Sequence, residues 1–344
     1  MSDPSPTCGR GAGERGLFPP PVEESAQRGA ALLLAMITVA LVATLAAAAL
    51  WRQWRGVEVE SAERARVQSS WILTGALDWG RLILAGDLRE SKIDHLAEPW
   101  AVPLAEARLS TFLAAGDASS ATDRDAFLSG QITDLQSRLN AMNLVAGDGT
   151  AATQRFERLF QQLGLPGSEL TALTQSLRRA QTAMQSGDPG ANDAPLLPRR
   201  FDQLAWLGVA PATLETLRPY VTVLPVSTDI VPVNLNTASA PVIYAALPGI
   251  DMAAAERLVA ARNGSPFQTT TAAAALLNTA SPPDLTWASV QSSFFEISGR
   301  LRLDDVALQE VAVVRRLNTP AQRGVITLWR ERVALNVPLT ATAN

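Results

Sequence analysis

The sequence predicts an α+β fold. One very long N-terminal helix, half in a membrane and half outside it, packs on an antiparallel sheet that a large all-helical domain interrupts. Three observations predict this. Residues 30–50 form an apolar run, and a helical period continues beyond it to about residue 86. Residues 150–264 read as successive helices. The stretches Phe294 to Leu303, Val311 to Val314 and Val325 to Arg330 carry the period-two alternation of strands.

The first helix follows from its composition. Ala30 to Leu50 is twenty-one residues, and Thr38 and Thr44 are the only polar ones. At about 1.5 Å per residue this run is roughly 30 Å long, the thickness of a bilayer's hydrocarbon core. Each threonine hydroxyl can bond back to a carbonyl one turn earlier. Trp51 and Trp54 stand where amphipathic rings meet the headgroups, and Arg28, Arg52 and Arg55 bracket the run. A secretory signal has a shorter apolar region, about 7–15 residues, with its small-residue cleavage site after it. Here the small residue, Gly29, stands before the run and directly after Arg28.

A basic residue, a glycine and a long apolar helix resemble the processing site of type IV prepilins and type II secretion pseudopilins. That resemblance implies that residues 1–29 are a cytoplasmic leader. A prepilin peptidase would cut between Gly29 and Ala30 and methylate Ala30. The protein would then be single-pass in the bacterial inner membrane, with its C-terminal domain in the periplasm. An ordinary signal anchor is the alternative on this stretch alone. Leu34 is the fifth residue of the implied mature chain, where most subunits of the family carry a glutamate that neutralises a neighbour's terminal ammonium. By resemblance, the subunit lacking it is the K-class minor pseudopilin at the tip, with Leu34 as the determinant of that fibre position; truncated or divergent pilins lack the glutamate too.

Composition bounds the rest. A chain of 344 residues, 47% hydrophobic, is long enough for one or two cores outside the membrane. A net charge of −4 and a pI near 5.3 argue against a nucleic-acid binder. Cys8 is the sole cysteine and lies in the leader, so the mature chain has no thiol chemistry. His95, the sole histidine, reads as a surface residue. Basic residues on both sides of the span leave its orientation to the leader resemblance.

Residues 1–27, rich in Pro, Gly and Ser, read as disordered. From Val57 to about Gly86, Ala65, Ile72, Ala76, Trp79 and Ile83 form one helical stripe, with Glu60 four residues before Arg64 on the solvated side. Joined to the span, this gives one pilin-like helix of about 55 residues, on the order of 85 Å. The loop around Asp94, His95 and Glu98 holds a buried Trp100, and residues 127–144 are compatible with a β-hairpin.

Here the resemblance sharpens. Leu96-x-Glu98-x-Trp100-Ala101, then Gly130-x-Ile132-x-Asp134-x-Gln136 and Asn140-x-x-Asn143-Leu144, match K-class pseudopilins in order and spacing. Helices are expected near 151–163, 167–186 and 200–207, with Ser168 and Thr171 as caps. K-class proteins place an acidic, calcium-binding loop in this region. The matching positions here read Leu177-Arg178-Arg179-Ala180, with only Asp188, Asp193 and Asp202 nearby. The resemblance implies calcium, but six to eight clustered oxygens are needed and the acidic loop is missing, so no cofactor and no metal site are expected.

Asn234-Leu235-Asn236-Thr237-Ala238 leads through Leu247-Pro248-Gly249-Ile250 to a second helix at 253–262, with Asn236 or Thr237 as the first cap. This reads as a SAM-like helix-hairpin-helix at 234–264, a fold that often grips DNA phosphates. Asp251 at the hairpin, Glu256 beside Arg257, and no lysine after Arg178 weigh against DNA. K-class pseudopilins carry the same hairpin, which reads as a packing or partner module. Asn318 to Gly324 is a loop between two C-terminal strands, and Asp304 and Asp305 are turn residues.

No constellation performs chemistry: the sequence offers no nucleophile–His–acid set, no phosphate loop and no paired carboxylates in an apolar setting. The resemblance implies a K-class minor pseudopilin of a type II secretion system, not an enzyme, at the tip of the pseudopilus. Its implied partners are the I- and J-class minor pseudopilins, other pseudopilins, the prepilin peptidase and the inner-membrane assembly platform, with no nucleic acid. The expected division is leader 1–29, fibre-core helix 30–51, its periplasmic half 52–92, first part of the head 93–146, helical insert 147–286 and C-terminal strands 287–344. The alternatives are a membrane-anchored DNA-uptake receptor and a minor pilin of a type IV pilus.

Overall fold

A computed structural model describes residues 25–108, 126–147, 149–186, 193–226, 229–277, 283–303, 306–319 and 322–335. The leader up to residue 24 with Cys8, together with Asp188, Asp304 and Asp305, lies outside the described residues. The chain divides into two units, residues 1–64 and 65–344.

In the first unit, helix α1 (Ser25–Glu90, 66 residues) carries the apolar run. Among the described residues it is the one helix long and apolar enough to cross a membrane. Thr38 and Thr44 donate to Ala35 O at 2.9 Å and Leu41 O at 2.8 Å, so neither hydroxyl is left unmet. Leu34, Trp51 and Trp54 are exposed, and the guanidinium of Arg55 lies over the Trp51 ring. Arg64 pairs with Glu60 one turn back.

In the second unit, α1 continues to Glu90 and packs on a five-stranded antiparallel sheet of order β1-β2-β7-β8-β9. The strands are β1 (Leu104–Arg108), β2 (Ala126–Asp134), β7 (Phe294–Leu303), β8 (Val306–Thr319) and β9 (Gln322–Leu335). Strand β8 thus runs into the expected 318–324 loop from one side, and β9 from the other.

The buried stripe of α1 is Ser69, Leu73, Leu77, Gly80 and Leu84, one residue on from the expected Ala65–Ile83 stripe. Trp79, expected inside, is 44% exposed. The reason is Gly80. A Cβ there would stand 2.8 Å from Ile297 Cγ2, so helix and sheet meet where the helix has no side chain. Opposite, Gly130 and Gly299 are register partners on β2 and β7, and Leu73 packs over Gly299.

Between β2 and β7 the chain leaves the sheet and returns beside its point of departure, because Asp134 and Phe295 are register partners. The expected hairpin at 127–144 is not formed. β2 pairs instead with β1 and β7, and a 3-10 turn at Leu135–Ser137 follows it. The cause is Asp134, whose carboxylate accepts Gln136 N and turns the chain out of the strand.

The excursion holds α2 (Thr150–Gln162), α3 (Gly167–Ser186), α4 (Pro211–Leu217), α5 (Ala240–Ala246), α6 (Met252–Gly264) and α7 (Thr270–Ala274). Two-residue parallel ladders join β3 (Leu139–Asn140) to β4 (Val221–Thr222) and β5 (Val233–Asn234) to β6 (Ala288–Ser289). Its core includes Leu139, Leu144, Phe156, Leu159, Leu177, Leu204, Ile243, Leu258 and Trp287. Gly164, at φ +68°, ends α2, as the Gly-Leu-Pro-Gly break requires. The helical segment expected at 200–207 is a 3-10 helix, Phe201–Leu207. Two local expectations fail. α3 begins at Gly167, so Ser168 and Thr171 lie inside it, and the Thr171 hydroxyl donates back to Gly167 O. Neither Asn236 nor Thr237 caps α5, which starts after Ser239 with Pro241 in its first turn.

Candidate functional site: the junction of sheet and insert

The residues that carried the sequence motifs converge on one buried junction. Asp134, at the end of β2, is 3% exposed, and its Oδ1 accepts Gln136 N at 2.7 Å. Its Oδ2 accepts Asn234 Nδ2 at 3.1 Å, the Thr237 hydroxyl at 2.5 Å and the Ser292 hydroxyl at 2.7 Å. Burial pushes this carboxyl up to about 6, although the Ser292, Thr237 and Gln136 donors pull it down.

Asn234 is fully buried and is the hub of the second motif. Its Nδ2 also donates to Asp94 O and Ser292 Oγ, each at 3.0 Å, and its Oδ1 accepts Asn236 N. Asn236 lies in the turn that follows β5. It donates to Phe267 O at 3.0 Å and accepts Phe267 N at 2.8 Å, a two-bond clamp that ties the motif to the chain after α6.

Asn140 and Asn143 make the same kind of clamp. Asn140 accepts Leu224 N and donates to Leu224 O; Asn143 accepts Val231 N and donates to Val231 O. Gln136 donates to Pro232 O and accepts Ser293 N. An amide side chain carries a donor and an acceptor, so it can replace a strand partner where no strand runs. That explains three asparagines and a glutamine at these positions better than any chemistry would.

The third motif closes the junction from the helix side. Glu98 is buried and accepts Trp100 Nε1 at 2.7 Å and His95 N at 2.9 Å, while Trp100 packs edge-on against Phe295. His95, expected on the surface, is partly buried, with Nε2 3.8 Å from Glu98 Oε1. Asp94 accepts Ser292 N at 2.7 Å and both its oxygens face Arg316, which also donates to Asp87 Oδ2 and Ser292 O. Burial raises Asp94, and Arg316 opposes the rise.

Arg316 and Ser292 were missed by sequence reasoning, yet Arg316 left a signal. Glu310, Ala312, Val314 and Arg316 share one face by the period of two. An arginine on a face otherwise turned to the core announces a buried partner. Ser292 left no such signal.

The 234–264 stretch contains α5, a turn with Gly249 at φ +90°, and α6. Asp251 caps α6, its carboxylate accepting Ala254 N at 2.7 Å. That puts a negative charge where a phosphate would bind. The nearby arginines are engaged inward. Arg158 donates to Tyr244 O and Ile250 O and lies over the Tyr244 ring. Arg262 is buried and donates to Leu235 O and Ala238 O, and burial lowers it to about 10. Arg257 is exposed, beside exposed Glu256.

The residues present do not fit the calcium site that the resemblance implies. Asp202 pairs with Arg218 at 2.9 Å, and Leu177 is buried in the insert core. Arg178 and Arg179 bring positive charge to the positions where carboxylates are needed.

Two family models, both described as Type II secretion system (T2SS), protein K, match residues 137–226 and 233–293. No curated protein matches the chain. The fold is similar to a chain of the crystal structure of the GspK-GspI-GspJ complex from the enterotoxigenic Escherichia coli Type 2 Secretion System, with a TM-score of 0.60 and 17% identity. The similarity covers 79% of this chain and 98% of that one.

Proposed function

We propose, from the premise that a chain carrying both protein K domains of a type II secretion system is a K-class minor pseudopilin, that this protein stands at the tip of the pseudopilus and starts or caps the fibre. The observation that carries the tip reading is the insert. Residues 135–293 interrupt the sheet between neighbouring strands β2 and β7 and are keyed to it by the Asp134–Asn234 network. A body of that size, inserted at the Asp134–Phe295 end of the β2–β7 pair, would leave little room for another subunit stacked on this one.

Its partners are the I- and J-class minor pseudopilins, a reading supported by fold similarity to a chain from a complex of GspK, GspI and GspJ. The apolar run of α1 is compatible with a single-pass anchor, and the family argues for the inner membrane. On this reading a prepilin peptidase cuts between Gly29 and Ala30 and methylates Ala30. The head and insert then lie in the periplasm, and the assembly platform draws α1 from lipid into the fibre. Leu34, which brings no charge to the fibre core, fits a subunit with none above it.

The first test is the mass and N-terminal sequence of the membrane form. A methylated Ala30 is expected; a chain still beginning upstream of Gly29 would end the processing reading. The second is cross-linking of assembled pseudopili. Leu34→Glu should reduce tip occupancy relative to the native chain, and unchanged occupancy removes Leu34 as a determinant of position.

A further inference from the structure

Carboxylate oxygens of Asp87, Asp94 and Glu98 lie within 4.8 Å of one another, at the end of α1 and in the loop that follows it. One guanidinium, that of Arg316 on β8, is hydrogen-bonded to this group. Three negative charges around one positive charge, in a site shielded from water, favour the binding of one proton.

The hydrogen bonds indicate where that proton sits. Asp94 faces Arg316 with both oxygens and accepts Ser292 N, an arrangement for an ionised carboxylate. Glu98 accepts Trp100 Nε1 and His95 N on one oxygen. Asp87 accepts a single donor among the described residues, Arg316 Nη1. Its side chain is 10% exposed against 1% for Asp94, so it is the member that water reaches. Arg316 already bridges the acids, which leaves this a closed ion cluster rather than an open cation site.

We propose that this cluster is a proton-holding latch between the end of α1 and the sheet, with Asp87 holding the proton that the three acids share. The titratable and charged groups in and around it are Asp87, Arg89 and Glu90 on α1, Lys92, Asp94, His95 and Glu98 in the loop, Asp134 on β2, Arg316 on β8 and Arg323 on β9. Among the described residues, those that meet it from the insert side, Asn234, Gln291, Ser292 and Ser293, are neutral. Burial and the charges of Glu98 and Asp94 push Asp87 up to about 6, while Arg316 pulls it down. Loss of the proton places a third charge beside Asp94 and Glu98 and weakens the tie between α1 and the Asp94 loop.

Urea denaturation of the full chain in detergent, followed by tryptophan fluorescence from pH 4 to 8 at fixed ionic strength, tests this. Each acid raised in the fold contributes up to about a tenfold rise in the unfolding constant per pH unit, between its unfolded value near 4 and about 6. Asp87→Asn should fold, remove about one proton's worth of that slope and give a chain less sensitive to pH. Asp87→Ser serves the same comparison if the asparagine variant does not fold. A second readout is the infrared band of a protonated carboxyl, present at pH 5, fading by pH 8, and weaker in the variant. An unchanged pH slope together with an unchanged band in the variant overturns the latch.

Discussion

Asn234 Nδ2 lies 3.1 Å from Asp134 Oδ2, and through this contact a residue of the insert is fastened to the last residue of β2. Both groups are buried, so a hydrogen bond lost between them is not replaced by water. Asn234→Ala strips one donor from Asp134 and leaves Asp94 O and Ser292 Oγ without the amide. The expected loss of stability is about 2–3 kcal/mol. Asn234→Asp should cost more, because it sets a second carboxylate against Asp134 with no cation in contact. Urea denaturation of the two variants at pH 7 checks the order.

The same residues show what could be read from the sequence and what could not. The membrane run, the strands after Phe294 and the helices near 151–163 and 167–186 are carried by local periodicity, and they stand close to where they were expected. The motif residues were visible as motifs, but their partners were not. Asn140 meets Leu224, and Asn143 meets Val231, across long stretches of chain that no local pattern connects. The hairpin expected at 127–144 failed for the same reason. Asp134, within that stretch, is the acceptor for an insert that returns much later in the chain.

The hairpin region should not hold duplex DNA. Asp251 occupies the α6 N-terminus, and Arg158 and Arg262 are spent on backbone carbonyls. A mobility-shift assay with the full chain in detergent should show no salt-dependent complex. Phosphate contacts would make the affinity fall steeply with added salt. Such a fall would bring back the DNA-uptake reading.

Arg262 gives a sharper test of the packing role. Its guanidinium satisfies Leu235 O and Ala238 O, the two carbonyls that flank Asn236 and Thr237, while Nε has no partner among the described residues. Arg262→Ala leaves both carbonyls unmet and opens a hole, at an expected cost of about 3 kcal/mol. Thermal unfolding followed by circular dichroism should show a single transition moved to lower temperature.

Stability should also fall as pH rises, independently of Asp87. Asp134 stands at about 6 in the fold, above its ordinary value of 3.8. A raised acid contributes stability that is fully present below the unfolded value and is lost as pH rises through the folded one. The window is therefore about pH 4 to 6, and above it the curve flattens. In an Asp87→Asn background the remaining slope belongs mainly to Asp134, with smaller parts from Asp94 and Glu296, which burial also raises. Denaturation midpoints that rise between pH 4 and 6 would contradict this.

The contact of Gly80 with Ile297 offers a test in which the sign changes. Alanine in place of glycine inside a helix is worth about 1 kcal/mol from backbone entropy alone. At Gly80 the new methyl would sit 2.8 Å from Ile297 Cγ2 and 3.3 Å from its Cδ1, and Ile297 is itself buried. Overpacking of this kind costs about 1–3 kcal/mol, so Gly80→Ala should destabilise the chain despite the gain in propensity. Ile297→Ala removes both clashing carbons and leaves a cavity, at about 2–5 kcal/mol on its own. In that background Gly80→Ala has room and partly fills the hole, so it should stabilise. A double-mutant cycle by urea denaturation then gives a coupling of about 1–3 kcal/mol between the two sites, with the alanine at 80 changing from harmful to helpful. Additive effects would mean that α1 does not rest on Ile297 at this point.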